Sequence, residues 1–165
     1  MSLERLWAGW RHAYVTDASE PAQTGCVLCR ITGPGDDAVQ LVLHRGASSA
    51  AVLNAYPYCS GHLMVAPLRH VAELEDLTAA ESAELWSMVT TSVRAIKAAY
   101  RPEGVNVGCN LGRAAGAGIP DHLHVQVLPR WAGDTNFMTS VASMRVMPEA
   151  LPDTWARLRD AWPAD

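Results

Sequence analysis

The stretch that decides the fold is GVNVGCNLGRAAGAGIPDHLHVQVLPRWAGDTNFM, from Gly104 to Met138. It reads as a strand, a glycine-rich connection, a second strand and a polar turn. At its centre His122-Leu123-His124-Val125-Gln126-Val127 alternates polar and apolar residues, the period-two signature of a strand. On such a strand His122, His124 and Gln126 share one face, while Leu123, Val125 and Val127 share the other. Polar rings side by side are a poor core and a good site.

The rest of the composition narrows the field. A chain of 165 residues, 49% of them apolar, builds one well-buried core and is short for two. A net charge of -4 and a pI near 5.8 argue against a general affinity for nucleic acid, which needs a basic surface. No apolar run is long enough to cross a bilayer, so no membrane partner is expected. The start, MSLERLWAGWRHAY, lacks the layout of a secretory signal, and a cytoplasmic protein is expected.

In chain order, Leu3, Leu6, Trp7, Trp10 and Tyr14 recur at helical spacing, which predicts an amphipathic N-terminal helix. A Cys26-x-x-Cys29 pair and a turn cluster follow. Strands are predicted over Ala38 to His44, Ser49 to Asn54 and His62 to Ala66, the first two forming a hairpin across Arg45-Gly46-Ala47. Thr78 to Tyr100 predicts a long helix, opened by a Thr78/Glu81 capping box and buried along Leu85, Met88, Val89, Ser92, Val93, Ile96 and Tyr100. Strands over Val105 to Leu111 and His122 to Pro129 come next, then a final helix from about Pro148 to Trp162. The expected fold class is α+β: a mainly antiparallel sheet, one long helix and helical termini. The whole chain, 1–165, reads as one domain, with a core of about 38–138, an N-terminal helix and knuckle in 1–37 and a helical tail in 139–165.

A neutral imidazole is a nucleophile able to attack phosphorus near neutral pH, given its ordinary pKa of about 6.5. Glycines at 112, 116 and 118 let backbone N–H groups approach an anion, and Gln126 adds an amide that does not titrate. The plain alternative is a pair of satisfied structural histidines. Cys26 and Cys29 fill half of a tetrahedral metal site, with His44, His70 and His122 as candidates for the other half. Two buried thiols are the alternative there. Cys59 and Cys109 read as packing residues, and His12 and His44 as incidental.

HLHVQVLPRWAGD, residues 122–134, resembles the signature of the histidine-triad (HIT) superfamily, H-x-H-x-H followed by apolar residues and often Pro-Arg. Val52-Leu53-Asn54, Ser60-Gly61-His62-Leu63-Met64-Val65 and Pro67-Leu68 agree in order and spacing, so the resemblance spans roughly Ala38 to Met138. It implies a five-stranded antiparallel sheet in each subunit of a homodimer. It also implies that His124 attacks the α-phosphorus of a nucleotide and forms a covalent nucleotidyl-histidine. His62 matches a further site histidine, Asn54 a ribose-side residue and Asn110 a phosphate-side polar group; Gly116, Ala117 and Gly118 occupy the phosphate loop, with Gly118 where many relatives carry serine. The zinc-bearing members imply a closed, structural Zn2+ held by Cys26, Cys29, His70 and His122.

Gln126 departs from the triad. H-x-H-x-Q resembles the transferase branch, which includes galactose-1-phosphate uridylyltransferases, while the framing segments resemble short actinobacterial diadenosine tetraphosphate phosphorylases. The implied reaction is diadenosine tetraphosphate plus phosphate, or a phosphorylated acceptor, giving ATP and ADP. The alternatives are hydrolysis of a dinucleoside polyphosphate or nucleotide conjugate, and a zinc-stabilised nucleotide-binding module with little turnover.

Overall fold

The computed structural model describes residues 25–134 and 149–163. The expected helix over Leu3 to Tyr14 lies outside the described residues. The described chain runs α1 (Val27–Thr32), α2 (Asp37–Gln40), β1 (Val42–Arg45), β2 (Ser49–Leu53), β3 (Leu63–Pro67), a 3-10 turn (Leu74–Asp76), α3 (Ala79–Tyr100), β4 (Gly104–Gly108), a second 3-10 turn (Arg113–Ala115), β5 (Val125–Arg130) and α4 (Leu151–Asp160). The strands form one sheet in the order β1-β2-β3-β5-β4, with every neighbouring pair antiparallel. The long return through α3 places β5 between β3 and β4, which brings the histidine segment to the middle of the sheet.

The first strand is shorter than its sequence suggests. Asp36 accepts from the N–H groups of Ala38 and Val39, so Asp37–Gln40 closes into one helical turn instead of extending. Leu41, at φ 59°, turns the chain from that helix into β1. The fifth strand also starts late, at Val125, because the Leu123 N–H leaves the β3 ladder and donates to the Val71 carbonyl at 2.6 Å. The fourth stops at Gly108, where the glycine-rich connection begins.

Helix α3 begins as expected: the Thr78 hydroxyl accepts from the Glu81 N–H, and the Glu81 carboxylate accepts from the Thr78 N–H. Its buried stripe is Leu85, Met88, Val89, Ser92, Ala95 and Ile96. These pack on Leu53, Leu63, Val65, Leu123, Val125 and Val127 from one side of the sheet, and Leu158 of α4 joins them. The opposite side carries a smaller cluster of Val42, Ala50, Val52, Met64 and Ala66, covered by Leu28 and Ile31 of α1 and by Ile119. Helices α3 and α4 thus back the sheet. The face toward α1 is left for the polar residues.

Candidate active site

Cys26 is the N-terminal cap of α1 and Cys29 lies one turn along, a spacing that brings both sulfurs to one side. Arg45 of β1 fastens this knuckle to the sheet. Its Nε donates to Asp37 at 2.8 Å, one terminal nitrogen donates to Gln40 at 2.8 Å, and the other meets the Thr32 carbonyl. Opposite, the Nε2–H of His122 donates to the Pro67 carbonyl at 2.9 Å. That bond leaves Nδ1 with its lone pair, aimed between the thiols at 3.2 Å from Cys26 Sγ and 3.4 Å from Cys29 Sγ. His70, just past β3, places its Nδ1 3.3 Å from Cys29 Sγ.

All four ligand atoms lie within 4.8 Å of one another. Tetrahedral bonds of about 2.3 Å to sulfur and 2.0 Å to nitrogen imply S···N edges of about 3.5 Å. The donor set and its spacing therefore fit a metal ion. Burial lowers the His122 pKa and keeps the ring neutral, the state a metal ligand requires. Burial, with the neighbouring Cys26, raises the Cys29 thiol pKa, so ion binding displaces protons there. His44 is no part of this cluster; it stacks on Trp162 with ring centroids 5.6 Å apart. Cys59 donates to the Pro129 carbonyl at 3.4 Å, and Cys109 packs against the main core.

His124 is buried, and its Nδ1–H donates to the His122 carbonyl at 2.9 Å. The hydrogen-bonded tautomer leaves the other nitrogen, Nε2, as the basic atom. One residue, His122, therefore positions the His124 ring with its backbone while its own ring joins the Cys/His cluster. Gln126 lies two residues on, opposite Met64 of β3 and Gly108 of β4, in the register that puts it on the α1 face. His62, immediately before β3, is 1% exposed. Its Nδ1 accepts from the Tyr58 N–H at 3.1 Å and lies 3.5 Å from the Asn54 amide nitrogen. The Tyr58 ring leans on it at 4.8 Å.

Asn54 turns its amide toward the loop: Oδ1 accepts from the Tyr56 N–H at 2.9 Å while the nitrogen faces His62. In the glycine-rich connection, positive φ at Gly112 (74°) and Gly116 (88°) brackets the Arg113–Ala115 turn. The Gly116 and Ala117 N–H groups donate inward, to the Arg113 and Gly112 carbonyls. The expectation that such amides meet an anion therefore does not describe those two in this conformation. Asn110 reaches the same turn, its amide nitrogen 3.6 Å from where a Gly116 side chain would begin. A Cβ at Gly118 would meet nothing within 4 Å, so the missing serine is not forced by crowding.

The Pro67 carbonyl, the His122 carbonyl and the Tyr58 N–H, which set the three ring tautomers, have no sequence signal, since they are backbone groups that nearly every residue type supplies.

A central antiparallel strand that brings buried imidazoles and a Cys/His cluster to one sheet face defines a histidine-site α+β protein. The HIT domain model matches residues 37–133, well over half of the chain, and the chain belongs to that family. It is 44% identical over 169 aligned residues to a Mycobacterium tuberculosis protein named AP-4-A phosphorylase, covering 97% of this chain and 85% of that one. It is 36% identical to the Schizosaccharomyces pombe bis(5'-nucleosyl)-tetraphosphatase [asymmetrical], over 56% of this chain and 50% of that protein. Among solved structures, a Zn-bound histidine triad family protein from Mycobacterium smegmatis superposes with a TM-score of 0.66 at 25% identity, covering 84% of this chain and 93% of that one.

Proposed function

We propose that the protein is a nucleotidyltransferase of the phosphorylase type, converting diadenosine tetraphosphate and phosphate to ATP and ADP through a nucleotidyl-His124. The observation that carries this reading is the His124 tautomer: with Nδ1–H held by the His122 carbonyl, Nε2 has the lone pair an attack on phosphorus needs. Likeness to the M. tuberculosis AP-4-A phosphorylase over nearly the whole chain supports the choice of substrate.

The Nε2 lone pair of His124 bonds to the α-phosphorus, and the electron pair of the bridging P–O bond leaves with ATP. The Nδ1 proton stays on the ring throughout. Hydrogen phosphate then attacks, the P–N pair returns to Nε2, and ADP sheds the incoming proton to water. Gln126 and His62 donate to the non-bridging oxygens. Asn54 lies toward the ribose, and Asn110 with Gly116, Ala117 and Gly118 lines the phosphate path. Since Gln126 cannot take a proton from water, an acceptor that is already an anion is favoured.

The ion of the Cys26, Cys29, His70 and His122 cluster is zinc in this reading, supported by the ligand set and by the Zn-bound relative. Held by those four side chains, it would supply structure, fixing α1 and the His122 segment against each other. A homodimer joined through β4 is part of the proposal, since that edge strand leaves Asn106 and Val107 exposed. The whole chain acts as one domain. No helix among the described residues is long and apolar enough to cross a membrane.

The S. pombe relative's name favours a second reading, hydrolysis, which differs only in the acceptor. Product analysis separates them. With diadenosine tetraphosphate, ATP and ADP should form in proportion to added phosphate; products that ignore phosphate, as AMP with ATP or as ADP alone, favour water.

A further inference from the structure

We propose that His62 is held as an Nε2–H donor, its Nδ1 closed to a second proton by the backbone N–H of Tyr58, so that the site transfers nucleotidyl groups only from leaving groups that depart as anions. The inference rests on the nucleotidyl-His124 chemistry above and narrows its substrate class.

Among the three buried site imidazoles, the structure fixes opposite tautomers. His124 meets a carbonyl oxygen at Nδ1 and must donate there. His62 meets a backbone N–H at Nδ1, 3.1 Å away, and must accept there. Its ring proton therefore sits on Nε2, directed away from the Asn54–Tyr58 loop. A second proton on Nδ1 would point at the Tyr58 N–H and break that bond inside a 1%-exposed site, where an unmet donor is costly. The Asn54 amide nitrogen, 3.5 Å from the same Nδ1, adds a second donor and reinforces the exclusion.

The consequence is chemical. A ring that cannot take a second proton can donate a hydrogen bond to a phosphoryl oxygen, yet it has no proton to give to a departing atom. Gln126, where a third imidazole would stand, has none either. The electron pair of the cleaved bond must leave unprotonated. A phosphate or a nitrophenolate tolerates that. An amine does not: a P–N bond releases its nitrogen only after that nitrogen gains a proton. Phosphoanhydrides and activated esters are substrates, and nucleoside phosphoramidates are rejected. Tyr58 acts through its backbone and is a positioning residue.

The test uses the zinc-loaded protein with two adenylyl donors, adenosine 5'-(p-nitrophenyl phosphate) and adenosine 5'-phosphoromorpholidate, following label on His124 and product release. The morpholidate should turn over at least about 10²-fold more slowly than the ester, the factor a missing general acid commands. Equal rates would overturn the inference alone. If neither donor nor the dinucleotide labels His124, the transfer reading itself fails and takes this one with it. Tyr58→Phe keeps the backbone donor and removes the phenol; an unchanged ester-to-morpholidate ratio is expected, and a further fall in the morpholidate rate alone would assign an acid role to that hydroxyl and overturn the proposal. Nitrogen NMR should show an acceptor-type Nδ1 and a protonated Nε2 in His62 across neutral pH. A doubly protonated His62 would contradict the proposal.

Discussion

At His124 one hydrogen bond sets the tautomer, because the Nδ1–H bond to the His122 carbonyl leaves Nε2 with its lone pair, the atom the proposed attack uses. Gln126 is expected to act on the charge that develops at phosphorus, so Gln126→Ala should lower kcat by about 10²- to 10³-fold with little change in folding. Gln126→His restores a group that takes protons, and should raise the share of hydrolysis over phosphorolysis in a product assay. Unaltered partition would remove the amide from acceptor choice. At this scale the sequence was informative: the polar face of His122, His124 and Gln126, and the Cys26-x-x-Cys29 pair, are side-chain patterns. The residues read alone left His44, His70 and His122 all open as ligands. Chain topology carries His70 and His122 to the thiols and His44 to Trp162, so only the first two share a cluster that could hold a metal.

At the scale of elements, the cysteine knuckle, α3 and α4 are each tied down by few polar groups. His70 is the most exposed member of the ligand cluster, so His70→Ala should lower bound metal and melting temperature before it reduces the rate per folded, metal-loaded molecule. Full metal content in that variant would strike His70 from the ligand set. Helix α3 is anchored by its cap and by Glu84, which accepts from the N–H and hydroxyl groups of Ser48 and Ser49 at the β1–β2 turn. Thr78→Ala should cost ~1 kcal/mol in denaturant unfolding, the usual worth of such a cap. Its partner Glu81 is pulled from the ordinary 4.5 to about 2, chiefly by Arg69 and then by the Thr78 N–H. Glu84 and Glu149 also lie low: burial opposes their charge, but serine hydrogen bonds outweigh it for Glu84, as Tyr100, Thr154 and Arg157 do for Glu149. A depressed folded pKa contributes stability above the unfolded value of about 4.3 and loses it as pH falls. Melting temperature should therefore drop on acidification from about pH 5 toward 2, and Glu81→Gln should flatten that slope; an unchanged slope would contradict the assignment. The capping box was legible because its residues are three apart in the chain. The Glu84 anchor was not, because its partners lie 35 and 36 residues away. The shortened β1 had a local sign, Asp36 before a helical turn, masked by the apolar run that follows.

Over the whole molecule, the two sheet edges differ. On β1, Trp155 Nε1 donates to the Val42 carbonyl at 2.9 Å and Arg159 reaches the Leu43 carbonyl, so α4 covers that edge. On β4, Val107 is 43% exposed. Val107→Lys should therefore shift the proposed dimer toward monomer in sedimentation experiments, in the manner of charged edge strands. A wild-type association state would move the interface elsewhere. Family resemblance implied five antiparallel strands, but their order β1-β2-β3-β5-β4 was not legible, because periodicity assigns strands without saying which of them pair. The measurement that bears most directly on the account is the mass of the protein quenched during turnover of diadenosine tetraphosphate. A nucleotidyl adduct should appear on the peptide carrying His124 and be discharged as ADP when phosphate is added. Steady turnover with no adduct, or an adduct on another residue, would contradict the proposed transfer through His124.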